Sequence, residues 1–363
     1  MAEQVSAGRA VVVTGLAVTS ALGRGPEAQL AAALAGMAAF APLHRFDVAG
    51  RRVRDAATLP DAGPLAAELA DAVDAACTDA GLDAMARADA TLMLAVHSDP
   101  GARLAAALAT GAGLAGARRV YTTACVSAST AVADAATLIR LGRADRVVVA
   151  AGYLVEPDQY ALFDSGRALA TDGAVRPFSH GRTGLLLGDA VAAVVLEAKQ
   201  VAQGNHAEIA AWGRTGDAYH PVQPHPEGRG LAAAIVAALR RGGIGPDEIG
   251  YVNANATGTG YSDRSEAAAL RAALGHAAAT VPVSSTKSVH GHALEASGLL
   301  ELVVTVLALR HGKLPVNAGF TGPDEHCPLD VITAAPRPAG SSYALSLNAA
   351  FGGACTALLV RAS

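Results

Sequence analysis

The sequence predicts an α/β protein made of two duplicated halves, each with its own sheet, packed on one another through shared helices. The first observation behind this is alternation. Short β-branched runs are separated by longer Ala- and Leu-rich stretches of helical period, and the strands read as near-continuous apolar runs, as buried strands do. The second is recurrence. GDAVAAVVLEA at 188–198 and GGACTALLVRA at 352–362 share small residues followed by aliphatics. TLIRLGR at 137–143 and LALRHGK at 307–313 both close a helix with Gly and a base. The two pairs are separated by nearly the same stretch of chain, and near-equal offsets mark a duplicated unit. The third is size: 363 residues, 52% of them hydrophobic, give ample core for one large domain or two fused ones.

Along the chain, AVVVTGLAV (10–18) reads as a strand, PEAQLAAALAGM (26–37) and LAAELADAVDAACTDAGL (65–82) as helices, and ATLMLAV (90–96) as a strand. STAVADAATLIRLGR (129–143) is a helix and RVVVAAG (146–152) a strand. In the second half a GPDEIG turn leads into YVNANATGTGYSD (251–263) and an Ala-rich helix. The expected halves are residues 1–200, carrying Cys125, and 201–363, carrying Asn255, His292 and Phe351. Active sites of such folds lie where strand ends meet helix starts.

Composition excludes several classes. No run of about 18 apolar residues lacks a break, so no membrane span is expected. The opening MAEQVSAGRAVVVTG lacks a basic start followed by an apolar core, so no signal peptide is expected. A net charge of -4 without clustered Lys or Arg argues against nucleic acid as a partner. Cys77, Cys125, Cys327 and Cys355 are far apart and fit no zinc spacing, so reduced thiols in a cytoplasm are expected, with no metal and no cofactor.

Three turns could carry chemistry. In VYTTACVSASTAVADAA a β-rich run ends at Thr123 and Cys125 precedes a small-residue helix start. A thiol there meets the positive end of the helix dipole, so its pKa should fall and its thiolate should be a nucleophile. Cys77 and Cys355 fit buried, inert positions. In STKSVHGHALEASGLL, Lys287, His290 and His292 precede a long apolar helix. A His at such a turn could polarise a carbonyl, although the spacing alone equally fits a surface loop. In LNAAFGGACTALL the glycines after Phe351 allow a backbone N–H to face a ligand, as an oxyanion hole requires. The YVNANATGTGYSD loop adds two Asn, two small hydroxyls and two glycines.

Together these pieces resemble one family across nearly the whole chain. RAVVVTGLAVTSALG is similar to the opening of β-ketoacyl synthases, TTACVSAS to their nucleophile turn, and VRPFSHGRTGLLLGDAVAAVVLE to their central RPFD…GxxxGEGA segment. NANATGT resembles their NAHGTGT loop, STKSVHGHALEASG their TKS…GH…GAAG, and LNAAFGG their NSFGFGG. The resemblance implies a thiolase-like fold, two duplicated α/β halves in a five-layered α-β-α-β-α arrangement. It implies that Cys125 accepts an acyl group from a carrier-protein thioester and that His292 is the second of two His that bind the malonyl thioester oxygen during decarboxylation. Phe351 and Gly352 match the oxyanion and gate segment, and Lys287, Glu266, Thr257 and Thr259 match supporting positions.

The departures carry the functional expectation. Asn255 stands where the first His belongs, Asp189 replaces the Glu of GEGA, and Glu295 replaces a Gly. Asn can donate an amide hydrogen but cannot pass a proton, so acyl capture should survive better than condensation. Only HSDPGARLAAALATGAGLAGARRV separates ATLMLAV from the nucleophile turn, much less than the family usually places there. That stretch ordinarily builds the subunit interface, so an altered or asymmetric dimer is expected. The favoured reading is a chain-length-factor-like partner of a complete ketosynthase in type II polyketide or related acyl chain assembly, working with phosphopantetheine-linked acyl carrier protein as a heterodimer. The alternative is a stand-alone acyltransferase, a homodimer working through Cys125 without elongation. An elongating synthase that tolerates Asn255, and a scaffold without an active site, complete the set.

Overall fold

In the computed structural model, which describes residues 8–97 and 101–363, ten strands repeat one five-strand plan twice. The first five are β1 (Val11–Ser20), β2 (Thr91–Ala95), β3 (Gly116–Tyr121), β4 (Arg146–Tyr153) and β5 (Ala190–Ala198). They lie in the order β3-β2-β4-β5-β1. The second five are β6 (Ala207–Gly216), β7 (Ile249–Asn253), β8 (Pro282–Ser284), β9 (Tyr343–Ala349) and β10 (Ala354–Ala362), in the order β8-β7-β9-β10-β6. Directions repeat as well. The two pairs that β2 makes, and the two that β7 makes, are parallel, whereas β4 with β5, β5 with β1, β9 with β10 and β10 with β6 are antiparallel. The expectation of a separate sheet for each half needs one amendment. β1 and β6 pair edge to edge at Val12 with Glu208 and Val13 with Ala207, so the two sheets are stitched by two residue pairs.

The recurrences seen in the sequence fall on matching elements. Residues 190–198 and 354–362 are β5 and β10, and the Gly-closed helix ends belong to α2 (Ser127–Arg140) and α5 (Ser297–Arg310). These two helices form the central layer: α2 packs on β4 and β10, α5 on β9 and β5, and both pack on each other. Outside, α1 (Leu65–Asp79) covers β1, β4 and β5, while α3 (Arg229–Gly242) covers β6 and β10 and packs on α4 (Gly260–Leu274). The result is five layers, α-β-α-β-α. We propose that the halves divide at 200/201, a position that falls between β5 and β6.

Sequence explains the layering. α5 reads SGLLELVVTVLALR, apolar all round, and Ser297 through Leu309 are buried, as befits a helix between two sheets. α1 and α3 are amphipathic and bury one face. The two central helices cross closely where Gly298 lies, because a Cβ there would sit 2.9 Å from the Ser129 backbone nitrogen. That crossing brings the starts of α2 and α5 together.

The shortened stretch before the nucleophile holds residues 98–100, which lie outside the described residues, as do residues 1–7 on which the signal-peptide reading partly rests. After them come a helix, Gly101–Gly111, and β3, the edge strand of the first half. No helix among the described residues is long and apolar enough to cross a membrane.

Candidate active site

The nucleophile turn is strained. β3 ends at Tyr121, a single 3-10 turn spans Ala124–Val126, and α2 starts at Ser127. Ala124 has φ 51°, a left-handed conformation that a residue with a Cβ adopts at a cost of about 1–3 kcal/mol. The turn lifts Cys125 to the head of α2, and Ser127 Oγ donates to the Ala124 carbonyl at 2.7 Å to brace it.

Burial changes the expected chemistry of this thiol. Cys125 is 7% exposed, and its pKa is pushed up to about 12, first by burial and then by the Glu295 carboxylate, with Lys287 pulling the other way. The sequence reading expected a fall, from the helix dipole. A dipole contributes about 0.3–1 kcal/mol, less than one pH unit, whereas burial shifts a fully desolvated group by several. Cys125 is therefore a thiol in the resting protein and requires proton removal as a thioester arrives.

The loop after β7 is held by carboxylates of α4. Asn255 N–H donates to Glu266 Oε1 at 2.8 Å, and the N–H groups of Thr257 and Gly258 both donate to Asp263 Oδ1 at 3.1 Å. The hydroxyls of Thr257 and Thr259 lie 3.1 Å apart. Behind the loop, Lys287 and Glu301 form a buried ion pair at 2.5 Å, and Asn348 Nδ2 donates to Glu301 Oε2 at 2.6 Å. Lys287 Nζ also reaches Asn255 Oδ1 at 3.5 Å, which leaves the Asn255 amide hydrogens to donate elsewhere.

His292 follows the short helix Lys287–His290. Its N–H donates to the Leu186 carbonyl at 2.7 Å and its Nδ1 pairs with Ser297 Oγ at 2.9 Å, which leaves Nε2 for the cleft. Burial and the Lys287 charge hold its pKa well below the usual histidine range, so the ring is neutral. His290 is different. Both its ring nitrogens are taken, by the Gly291 carbonyl and Thr286 Oγ1, and it is fully buried away from the cleft.

One cleft of about 420 Å³ gathers Cys125, Asn255, Thr257, Thr259, His292 and Phe351. Lys287 and Glu266 stand behind its wall rather than in it. Phe351 is 46% exposed and stacks on Phe163 at 5.7 Å, so the two rings frame the mouth. Gly352, which the family motif pairs with Phe351 in the oxyanion and gate segment, does not turn its N–H into the cleft. It is outside the cleft lining, and its N–H donates to the Pro221 carbonyl at 2.7 Å; among the described residues the Phe351 N–H meets no backbone acceptor. Sequence reasoning missed Phe163 and Arg182 as lining residues and Ser297 as the partner of His292. Only Ser297 had a local signal, a hydroxyl shortly after His292 at a helix start.

The other departures are explained by packing. Asp189 is a clamp: it accepts from Arg45 at 2.9 Å, from Leu59 N–H at 2.7 Å and from Val155 N–H at 2.6 Å, so the shorter acid serves structure, not the cleft. Glu295 occupies a 3-10 turn, Leu294–Ala296, ahead of α5, and its Oε1 meets His97 Nδ1 at 3.1 Å.

Comparison with known proteins agrees with this architecture. The family description Beta-ketoacyl synthase, N-terminal domain, matches residues 96–202, and Beta-ketoacyl synthase, C-terminal domain, matches residues 206–321. The tetracenomycin polyketide synthase ketoacyl synthase alpha subunit of Streptomyces glaucescens is 39% identical over 252 residues, 67% of this chain and 59% of that protein. The 3-oxoacyl-[acyl-carrier-protein] synthase 2 of Staphylococcus aureus is 35% identical over 242 residues, 64% of this chain and 60% of that protein. The chain thus spans about three fifths of the length of the curated relatives it matches. Among solved structures, the ishigamide ketosynthase/chain length factor superposes with a TM-score of 0.92 at 28% identity, over 98% of this chain and 100% of that one. A beta-ketoacyl synthase from Burkholderia phymatum gives 0.88 at 27% identity with the same coverage. A duplicated five-layer fold, a strained Cys turn at the head of a central helix and two matching family domains lead to one assignment: the chain belongs to the β-ketoacyl synthase family and has its thiolase-like fold.

Proposed function

We propose that this chain is a ketosynthase-like subunit that handles carrier-protein-bound acyl thioesters in type II polyketide or related acyl chain biosynthesis, with weakened decarboxylative condensation. The observation that carries the reading is the single cleft in which Cys125 and His292 meet Asn255 in place of a second imidazole. His292 Nε2 and the Asn255 amide can both donate to a thioester oxygen, but neither is charged: His292 is held neutral and Asn255 cannot ionise. Acyl capture needs a nucleophile and an oxyanion site, and Cys125 and the Phe351 N–H are the groups this reading assigns to them. Decarboxylation also needs strong stabilisation of an enolate, which a neutral amide supplies less well.

The favoured role is that of a chain-length-factor-like partner in a heterodimer with a complete ketosynthase. The likeness to the ishigamide ketosynthase/chain length factor and the short stretch ahead of β3 support it. A stand-alone acyltransferase remains the second reading, because Cys125 is retained and lines an open cleft. Intact-protein mass after incubation with an acyl carrier thioester tests the shared core of both: the acyl mass is expected on Cys125, and label on Cys77, Cys327 or Cys355 with none on Cys125 overturns it. Co-expression with a complete ketosynthase and size exclusion then separates the roles. A stable homodimer whose turnover needs its own Cys125 and ignores the partner leaves the acyltransferase.

A further inference from the structure

A second, small cavity of about 20 Å³ lies directly behind the cleft. Asn255, Ser262, Pro224 and Ala349 line both spaces, so Asn255 is part of the wall between them. On the far side stands Glu266, 3% exposed. Its Oε1 is occupied by the Asn255 N–H at 2.8 Å, while its Oε2 is buried and has no protein partner among the described residues. A cavity of this size holds one water, and a buried carboxylate oxygen and an amide are the polar partners a water requires. We propose that Glu266 and a water held between it and Asn255 hydrolyse the acyl group on Cys125, so that the residue in place of the imidazole opens a route for water into the cleft. This rests on the acyl-capture reading above.

The step balances with water as the only co-reactant. Glu266 takes a proton from the water, and the oxygen attacks the thioester carbonyl of acyl-Cys125 to form a C–O bond. Collapse of the tetrahedral oxyanion breaks the C–S bond. The Cys125 thiolate leaves and regains the proton from the Glu266 carboxyl, which gives a carboxylic acid and the free thiol. An imidazole at 255 is bulkier than the Asn amide and closes this route.

The acid–base setting fits a base that works above neutrality. Burial raises the Glu266 pKa to about 8, against the opposing pull of the Asn255 N–H and Lys287. Asp263 on the same helix and Glu301 on α5 push it further up. Asp217 and Cys355 line the same cavity, and the Glu266 charge in turn raises the Cys355 pKa.

The test loads Cys125 with the acetyl group of acetyl-N-acetylcysteamine, removes excess reagent, and follows loss of the acetyl mass from pH 6 to pH 9.5. In the unaltered protein the rate is expected to climb and then level above about pH 8, with ¹⁸O from labelled water in the released acetate. Glu266→Gln is expected to decay at least tenfold more slowly at pH 8 and to rise with pH without levelling. Asn255→His leaves Glu266 in place but closes the route, and is expected to slow decay to the same degree. Equal decay rates and pH profiles in all three proteins overturn the proposal, as does full-rate decay in Asn255→His. Failure of Cys125 to acylate at all is visible before the chase begins, and overturns the acyl-capture reading together with this one.

Discussion

Cys125 and Glu295 occupy equivalent places in the two halves. Each is the middle residue of a 3-10 turn heading a central helix, and each follows a residue in the left-handed region, Ala124 at φ 51° and Leu294 at φ 40°. The duplication thus preserves the strained elbow in both halves, with a nucleophile on one and a carboxylate on the other. The turns pack together, and the carboxylate raises the thiol pKa.

Removing that charge should free the thiol. In Glu295→Gln the alkylation of Cys125 by iodoacetamide at pH 8 is expected to quicken severalfold, since each pH unit by which a thiol pKa falls gives about tenfold more thiolate. Its pH–rate curve should move to lower pH, and a curve superimposed on that of the unaltered protein would show that burial alone sets the pKa.

Restoring the imidazole should restore the chemistry that the family resemblance implies. Asn255→His is expected to raise decarboxylation of a malonyl thioester on the order of 10²-fold, the worth of one oxyanion donor. Released carbon dioxide measures it. Equal rates would mean that the loop does not touch the malonyl group.

The buried Lys287–Glu301 pair should behave as a unit. Lys287→Met leaves the buried Glu301 carboxylate without its cation, with Asn348 still donating to it, and is expected to cost about 3–5 kcal/mol in denaturant unfolding. Lys287→Met with Glu301→Leu should recover much of that loss. A double variant as unstable as the single one would contradict the pairing.

Glu266 also sets a pH dependence of stability. Its folded pKa is raised from 4.5 to about 8, so between those values the folded state holds a proton that the unfolded chain releases. Stability should therefore fall as pH rises through this window, by up to about 1.4 kcal/mol per unit. Glu266→Gln lacks this term, and its melting temperature relative to the unaltered protein is expected to be higher at pH 8 than at pH 5. A constant difference across the range would refute it.

Much of this was legible in the sequence. The near-equal offsets between recurring segments located β5 with β10 and the ends of α2 with α5, because duplicated strands and helix ends keep their small-residue patterns. Cys125 was singled out from its turn, and Asn255, Thr257, Thr259, His292 and Phe351 from their motifs' resemblance to the family; all six line one cleft. Three things were not. The rise in the Cys125 pKa comes from burial and from a carboxylate far along the chain; local spacing reports only the helix dipole. The Gly352 N–H is lost to Pro221 by a tertiary contact. Phe163 reaches the cleft from a helix, Pro157–Ser165, whose sequence reads like any surface helix.

The seam between the halves has a consequence for how the chain holds together. Only two residue pairs join β1 to β6, so the ladder of hydrogen bonds contributes little to keeping the halves in register. That task falls to α5, which belongs to the second half by sequence yet lies against β5 of the first, buried from Ser297 to Leu309. Severed between β5 and β6, each fragment would expose a surface made to be covered by the other. The halves are therefore expected to unfold in one cooperative transition, because the layer that covers each of them is built partly from the other.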